Sequence, residues 1–241
     1  ILGKELDTSV DLTAISDSGL LIGYSRSLPF DENLHVGVNT KLLFRAGGKK
    51  SFSILDIAQN DNLKIDANEL GGAGAGLDFD LGAIYELPQI PWGLANRVGL
   101  TLNNLLANRF TISRVGGGPP ALTRMLSLSY CTIFEGWQFI DNFRLLVDLA
   151  EFNLGGESDA DYGARTGSMW KHVNFGAEVP IGRLAVRAGF HQGYLTAGLG
   201  LNLFIMKLDF ATYAEELSAS GPGRLPSRRY ALSLALGIGS A

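Results

Sequence analysis

Residues 194–240 alternate so strictly that, in an extended chain, one side is apolar throughout and the other is small, polar or charged. The apolar positions are Leu195, Ala197, Leu199, Leu201, Leu203 and Ile205, then Leu208, Phe210, Thr212 and Ala214, then Tyr230, Leu232, Leu234, Leu236 and Ile238. Between them fall Thr196, Gly198, Gly200 and Asn202, then Lys207, Asp209, Ala211, Tyr213 and Glu215, then Arg229, Ala231, Ser233, Ala235 and Gly237. A period of two sends alternate side chains to opposite faces of a sheet. A soluble sandwich also alternates, but its solvated face is rich in Lys, Glu and Thr. Here that face is crowded with Gly, Ala, Ser and Asn, which suit the inside of a closed cylinder. The pattern predicts an all-β fold, an antiparallel up-and-down transmembrane β-barrel forming a single domain over residues 1–241.

Composition points the same way. The chain is 46% hydrophobic and 18% charged with a mean hydropathy of +0.14, yet no stretch approaches the roughly 20 apolar residues of a membrane helix. Its apolar content is spread over short segments, as in a barrel. The 31 glycines are roughly twice the usual share of about 7%. Many fall inside expected strands, where sheet curvature is one reason to keep them. Cys131 is the single cysteine and excludes an internal disulfide. A net charge of −4 gives no nucleic-acid footprint. No signal peptide opens the sequence, so it reads as a mature or truncated form of a secreted precursor.

Twelve alternating segments are expected, at 8–15, 19–28, 33–45, 74–87, 95–107, 122–134, 139–152, 170–180, 183–191, 194–205, 206–217 and 228–240. The connections at 46–73, 108–121, 153–169 and 218–227 are long, and they mostly alternate with tight ones. Outer-membrane barrels pair short periplasmic turns with longer external loops. An even count places both termini on the short-turn side. Loop 46–73 is expected either to extend its hairpin or to fold into the mouth, and the Gly-rich run Gly71–Gly76 reads as a source of strand flexibility. It leads into a strand and lacks the Lys-Ser/Thr pair of a phosphate loop.

The closing segment Leu208-Asp-Phe-Ala-Thr-Tyr-Ala-Glu-Glu-Leu217, followed by a Gly/Pro loop and Arg228-Arg-Tyr-Ala-Leu-Ser-Leu-Ala-Leu236, resembles the last hairpin of FadL-like and PorV-like outer-membrane proteins. That group includes barrels of the TraF conjugal-transfer type. Tyr24-Ser-Arg-Ser-Leu-Pro29, Leu34-His-Val-Gly-Val-Asn-Thr-Lys-Leu42 and Val98-Gly-Leu-Thr-Leu-Asn-Asn-Leu105 look like strands of the same group. The resemblance implies an outer-membrane location in a Gram-negative envelope and hydrophobic cargo.

The inward phase carries charges of both signs: Lys41, Asp78, Asp80, Arg97, Arg144, Asp148, Glu178, Arg187, Lys207 and Asp209. Charges in a narrow cylinder must pair with one another or with water. They form either a selective pore lining or a self-neutralising network that holds the lumen shut. Asp78 and Asp80 share one face and could raise each other's pKa. His35, His172 and His191 also point inward, and a tight hairpin at 181–182 would set His172 opposite His191 as a candidate metal or proton-sharing pair. No catalytic residue and no cofactor is assigned.

Three functional readings follow. The first is an outer-membrane barrel that passes or holds a small hydrophobic molecule or lipid. The second is a structural anchor in an envelope or secretion assembly, with other envelope proteins as partners. The third is a barrel-borne hydrolase using the two-histidine rim. A soluble lipid-binding barrel is the alternative outside the membrane. Membrane lipid is the expected partner and nucleic acid is not.

Overall fold

A computed structural model describes residues 9–53, 71–89, 93–137, 140–154, 168–218 and 223–236. They form twelve strands: β1 (Ser9–Leu28), β2 (Asp31–Ser53), β3 (Ala73–Leu87), β4 (Gly93–Asn103), β5 (Ile112–Val115), β6 (Met125–Trp137), β7 (Ile140–Asn153), β8 (Val173–Ile181), β9 (Leu184–His191), β10 (Tyr194–Leu203), β11 (Met206–Glu216) and β12 (Pro226–Leu236). All belong to one antiparallel up-and-down sheet in the order β1-β2-β3-β4-β6-β7-β8-β9-β10-β11-β12, with the short β5 lying against β3. No described helix is long and apolar enough to cross a membrane. Several strands have the length a tilted transmembrane strand needs, about 9–11 residues. Among them are β4, β11 and β12 at 11 residues each.

The register keeps the alternation in phase across the sheet. Leu199 pairs with Val186 and Phe210, Leu128 with Leu100 and Leu149, and Val38 with Leu81. Every such pair lies on the apolar face. No described residue covers that face: Leu199 is 50% exposed, Leu201 37%, Leu232 73% and Leu234 58%. A soluble sandwich would have buried these leucines against a second sheet. Among the described residues the buried hydrophobic ones are Ala75, Phe110, Ala150 and Ala214. The opposite, polar face is concave, since residues from β7 to β11 line one cavity on it.

Two sequence expectations are corrected. Segments 8–15 and 19–28 are one continuous strand, β1, paired residue by residue with β2 from Ser9↔Ser53 to Ser27↔His35. The strand total stays at twelve because β5 is added, but β5 is four residues long and does not cross the sheet. The two ends of the described sheet therefore do not share a rim. Ser9 lies opposite Ser53 on the side of the long connections, and Leu236 lies opposite Met206 beside the tight 204–205 turn. The long-short alternation is cleaner than expected, since 16–18 lies inside β1 and is no connection. One tight link still falls among the long ones: Gln192 and Gly193, at φ 52° and 87°, close β9 and β10 with both central residues left-handed, as tight hairpins favour.

Candidate functional site

The inward charges assemble into ladders across the concave face. On β7 to β11, Arg144 Nη1 donates to Glu178 Oε1 at 2.8 Å, and Arg187 Nε donates to Glu178 Oε2 at 2.5 Å. Arg187 Nη1 reaches Asp209 Oδ1 at 2.6 Å, and Lys207 Nζ stands 3.4 Å from the other Asp209 oxygen. Arg187 on β9 thus spans β10 to meet β11. It does so over Gly200, where an added Cβ would lie 2.7 Å from Asp209 Oδ1 and 3.0 Å from Arg187 Nη2. The small residues of β10 leave room for an ion pair to bridge the strand, which is why they alternate with its leucines. Arg97 pairs with Glu86 at 2.9 Å, and Asp148 accepts from Asn174 at 3.3 Å. All ten charges expected on the inward phase fall on the face of the sheet opposite the exposed leucines.

Beside this ladder is a cavity of about 850 Å³. Its floor includes Gly176 and Gly198, and Glu178, Arg187, His191, Gln192, Tyr213 and Glu215 line it. His191 and Tyr213 meet edge to face with centroids 5.6 Å apart. Glu151 also reaches the cavity, although simple alternation from Arg144 sets it on the opposite face. The register between β6 and β7 slips between Leu126/Leu128, and Glu151 adopts φ 59° with its N–H donating to Ser127 Oγ at 2.9 Å. A bulge re-aims a side chain in this way, and bulges leave no trace in hydrophobic periodicity.

The other half of the concave face is filled by the connection between β4 and β6. Asp78, at 0% exposure, accepts hydrogen bonds from the backbone N–H groups of Leu106 at 3.0 Å and Asn108 at 3.1 Å. Lys41 Nζ bridges Asp80, at 2.5 Å, and Asn104 Oδ1, at 2.7 Å. Arg45 binds Asp17 through two nitrogens at 2.7 and 2.8 Å, donates to the Pro120 carbonyl, and lies over the ring of Phe110, itself fully buried. We call residues 104–124 the strap. Its close approach depends on glycine: a Cβ at Gly74 would meet the Phe110 carbonyl oxygen at 2.3 Å, and one at Gly76 would strike the Asn108 amide. The Gly-rich run thus makes space for the strap rather than flexibility. Among the described residues, the connection that folds onto this face is 104–124. Residues 46–53 lengthen the β1–β2 hairpin, and 54–70 lie outside the described residues.

The histidine pair does not form. Asn174, not His172, stands opposite His191. His172 follows a single 3-10 turn at Met169–Lys171, is buried, stacks on Phe152 at 4.6 Å and holds its Nδ1 2.8 Å from the Ala150 carbonyl. His35 faces inward near the short turns, with Nδ1 2.8 Å from Ser27 Oγ. Among the described residues no group of three His, Cys, Asp or Glu side chains is placed to hold a metal ion.

Arg45 was legible as an inward group, since it shares the phase of Lys41, whereas its partner Asp17 falls between the segments expected at 8–15 and 19–28. Polar atoms on the inward phase keep spare capacity: Asn142 Oδ1, Arg144 Nε and Asn174 Oδ1 are buried without a protein partner. No known protein family matches the chain, and no curated protein is similar to it.

Proposed function

We propose that the chain is an outer-membrane β-barrel protein that holds or passes a small amphiphilic molecule along its concave face. The observation that carries this reading is the division of the sheet into two faces. One is an apolar surface with no described layer over it, and the other is a charged surface bearing an open cavity of about 850 Å³. Hydrocarbon accepts the first, and a guest bearing polar groups fits the second. Glu178, Arg187, His191 and Tyr213 favour a guest with a charged or hydrogen-bonding head over wholly apolar cargo. The resemblance to FadL-like and PorV-like barrels adds the expectation of an apolar chain attached to that head.

Reconstitution tests the reading. The purified protein in vesicles of outer-membrane lipid is expected to release small amphiphilic dyes or to retain a co-purifying lipid seen by native mass spectrometry. Gln at Glu178, which uncouples Arg144 and Arg187 from their shared carboxylate, should change that release or retention several-fold. The absence of both flux and a bound molecule would remove the proposal.

A second reading, a structural anchor in an envelope assembly, is favoured by the strap, which fills the β1–β4 half of the concave face with satisfied ion pairs. Gentle extraction that yields a stable complex with other envelope proteins, and no flux, would select it.

A further inference from the structure

We infer that the cavity between β7 and β11 binds a neutral sugar ring, seated over Gly176 and hydrogen-bonded through its hydroxyls to the Glu178–Arg187 ladder. The inference rests on the guest-holding reading above and names the chemistry of the guest's head.

The strand register lays out the floor of the cavity. On the inward phase Leu146 of β7 pairs with Gly176 of β8, Gly176 with Gly189 of β9, and Gly189 with Thr196 of β10. Two neighbouring positions without side chains thus lie between Leu146 and Thr196, which are three strand spacings, or about 14 Å, apart. The two glycines have different reasons to be there. A Cβ at Gly189 would lie 2.2 Å from the Phe175 carbonyl oxygen, so the backbone itself requires glycine. A Cβ at Gly176 would meet nothing within 4 Å, and glycine inside a strand weakens it. Packing therefore gives no reason for Gly176, and what its missing side chain preserves is the space of the cavity, whose lining it joins.

The walls decide which head fits. One inward step toward the 181–182 turn, Glu178 pairs with Arg187, and one step the other way Asn174 pairs with His191. The charges at the centre of the wall are already matched: Glu178 by Arg144 and Arg187, Arg187 also by Asp209, and Glu215 by Arg229 at 2.5 Å. A charged head would have to break one of these pairs and leave a charge without its partner. A wholly apolar head would cover the polar atoms of the wall and satisfy none of them. A hydroxyl does neither, because it donates and accepts at once, and an ion-paired carboxylate or guanidinium keeps spare lone pairs or N–H groups for it. The same face holds one buried donor without a protein partner, Arg144 Nε, and one such acceptor, Asn174 Oδ1. A sugar ring also has C–H faces, which suit the negative face of an aromatic ring. Leu146 and Tyr213 line the cavity on β7 and β11, at the two ends of the glycine floor.

Saturation-transfer NMR on the protein reconstituted in lipid nanodiscs tests this, with maltose, lactose and N-acetylglucosamine as neutral probes and choline and methyl phosphate as charged ones. Ring protons of at least one sugar are expected to receive magnetisation from the protein, and the charged probes are not. Gly176→Leu should abolish that transfer while leaving the denaturant midpoint unchanged, because the added side chain enters the cavity and its Cβ strikes nothing. Tyr213→Ala should weaken the transfer several-fold where Tyr213→Phe keeps it, and this pair decides the matter if Gly176→Leu does not fold. Transfer to no sugar, stronger transfer to choline or methyl phosphate, or sugar transfer indifferent to both Gly176→Leu and Tyr213→Ala overturns the inference. Dye release or a co-purifying lipid that persists beside such a result leaves the guest-holding reading standing, and the loss of those as well ends that reading too.

Discussion

Asp78 shows how one carboxylate decides what a long connection does. It is fully buried and accepts from two strap amides, so Asp78→Ala removes two hydrogen bonds to a charged group, a cost of about 1.5–3 kcal/mol each at most. Hydrogen exchange is expected to rise at Leu106 and Asn108 in that variant while β8–β11 keep their protection; unchanged exchange at both amides would mean something else holds the strap. The sequence put Asp78 on the inward face but offered the wrong partner, Asp80. A contact between a strand carboxylate and amides some thirty residues along has no period to read. Glycine gives a second test at this scale. Gly176 and Gly189 face each other across β8 and β9. A Cβ at Gly176 meets nothing within 4 Å, whereas one at Gly189 would lie 2.2 Å from the Phe175 carbonyl oxygen. Denaturant titration in detergent is therefore expected to find Gly176→Ala neutral or stabilised by up to about 1 kcal/mol. Gly189→Ala should lose about 1–3 kcal/mol, because the atom in the way is backbone. Equal effects would show that strand glycines act here through chain entropy alone.

Among the elements, β10 carries the clearest contrast between its two sides. Leu199 points into the uncovered apolar face and Thr196 into the cavity. An arginine on the lipid side of a barrel strand costs about 2–4 kcal/mol near the bilayer centre, while lumenal changes are better tolerated. Leu199→Arg is expected to lower folding stability in lipid vesicles by that amount, and Thr196→Arg by much less. Equal losses would mean the two faces meet the same solvent. This sidedness was legible, since the phase read from 194–240 is the phase of the register. The ladder through Arg144, Glu178, Arg187 and Asp209 was legible only as a set of inward residues. Which charge meets which depends on strand stagger and on the glycines between them, and neither shows in a one-dimensional pattern. The bulge that turns Glu151 inward was illegible for the same reason.

At the scale of the whole molecule, the misread break in β1 had the largest consequence. Ser16, Asp17, Ser18 and Gly19 look like a turn in sequence, but they pair with Ala46, Arg45, Phe44 and Leu43, and Asp17 answers Arg45. A pairing partner thirty residues away overrode a local turn signal, as tertiary context does in sheets. Joining the two segments changes the parity of the crossings and moves one end of the described sheet to the opposite rim. The apolar belt does not depend on that parity, and it is open to a direct measurement. Single cysteines along 206–212, labelled with a fluorophore in reconstituted vesicles, should respond in alternation. Leu208, Phe210 and Thr212 are expected to be quenched by a lipid-phase quencher, and Lys207, Asp209 and Ala211 by an aqueous one. A soluble barrel that keeps its grease inside would reverse the sense, with the apolar positions shielded from both reagents. Quenching without alternation would mean that the strand does not cross the bilayer.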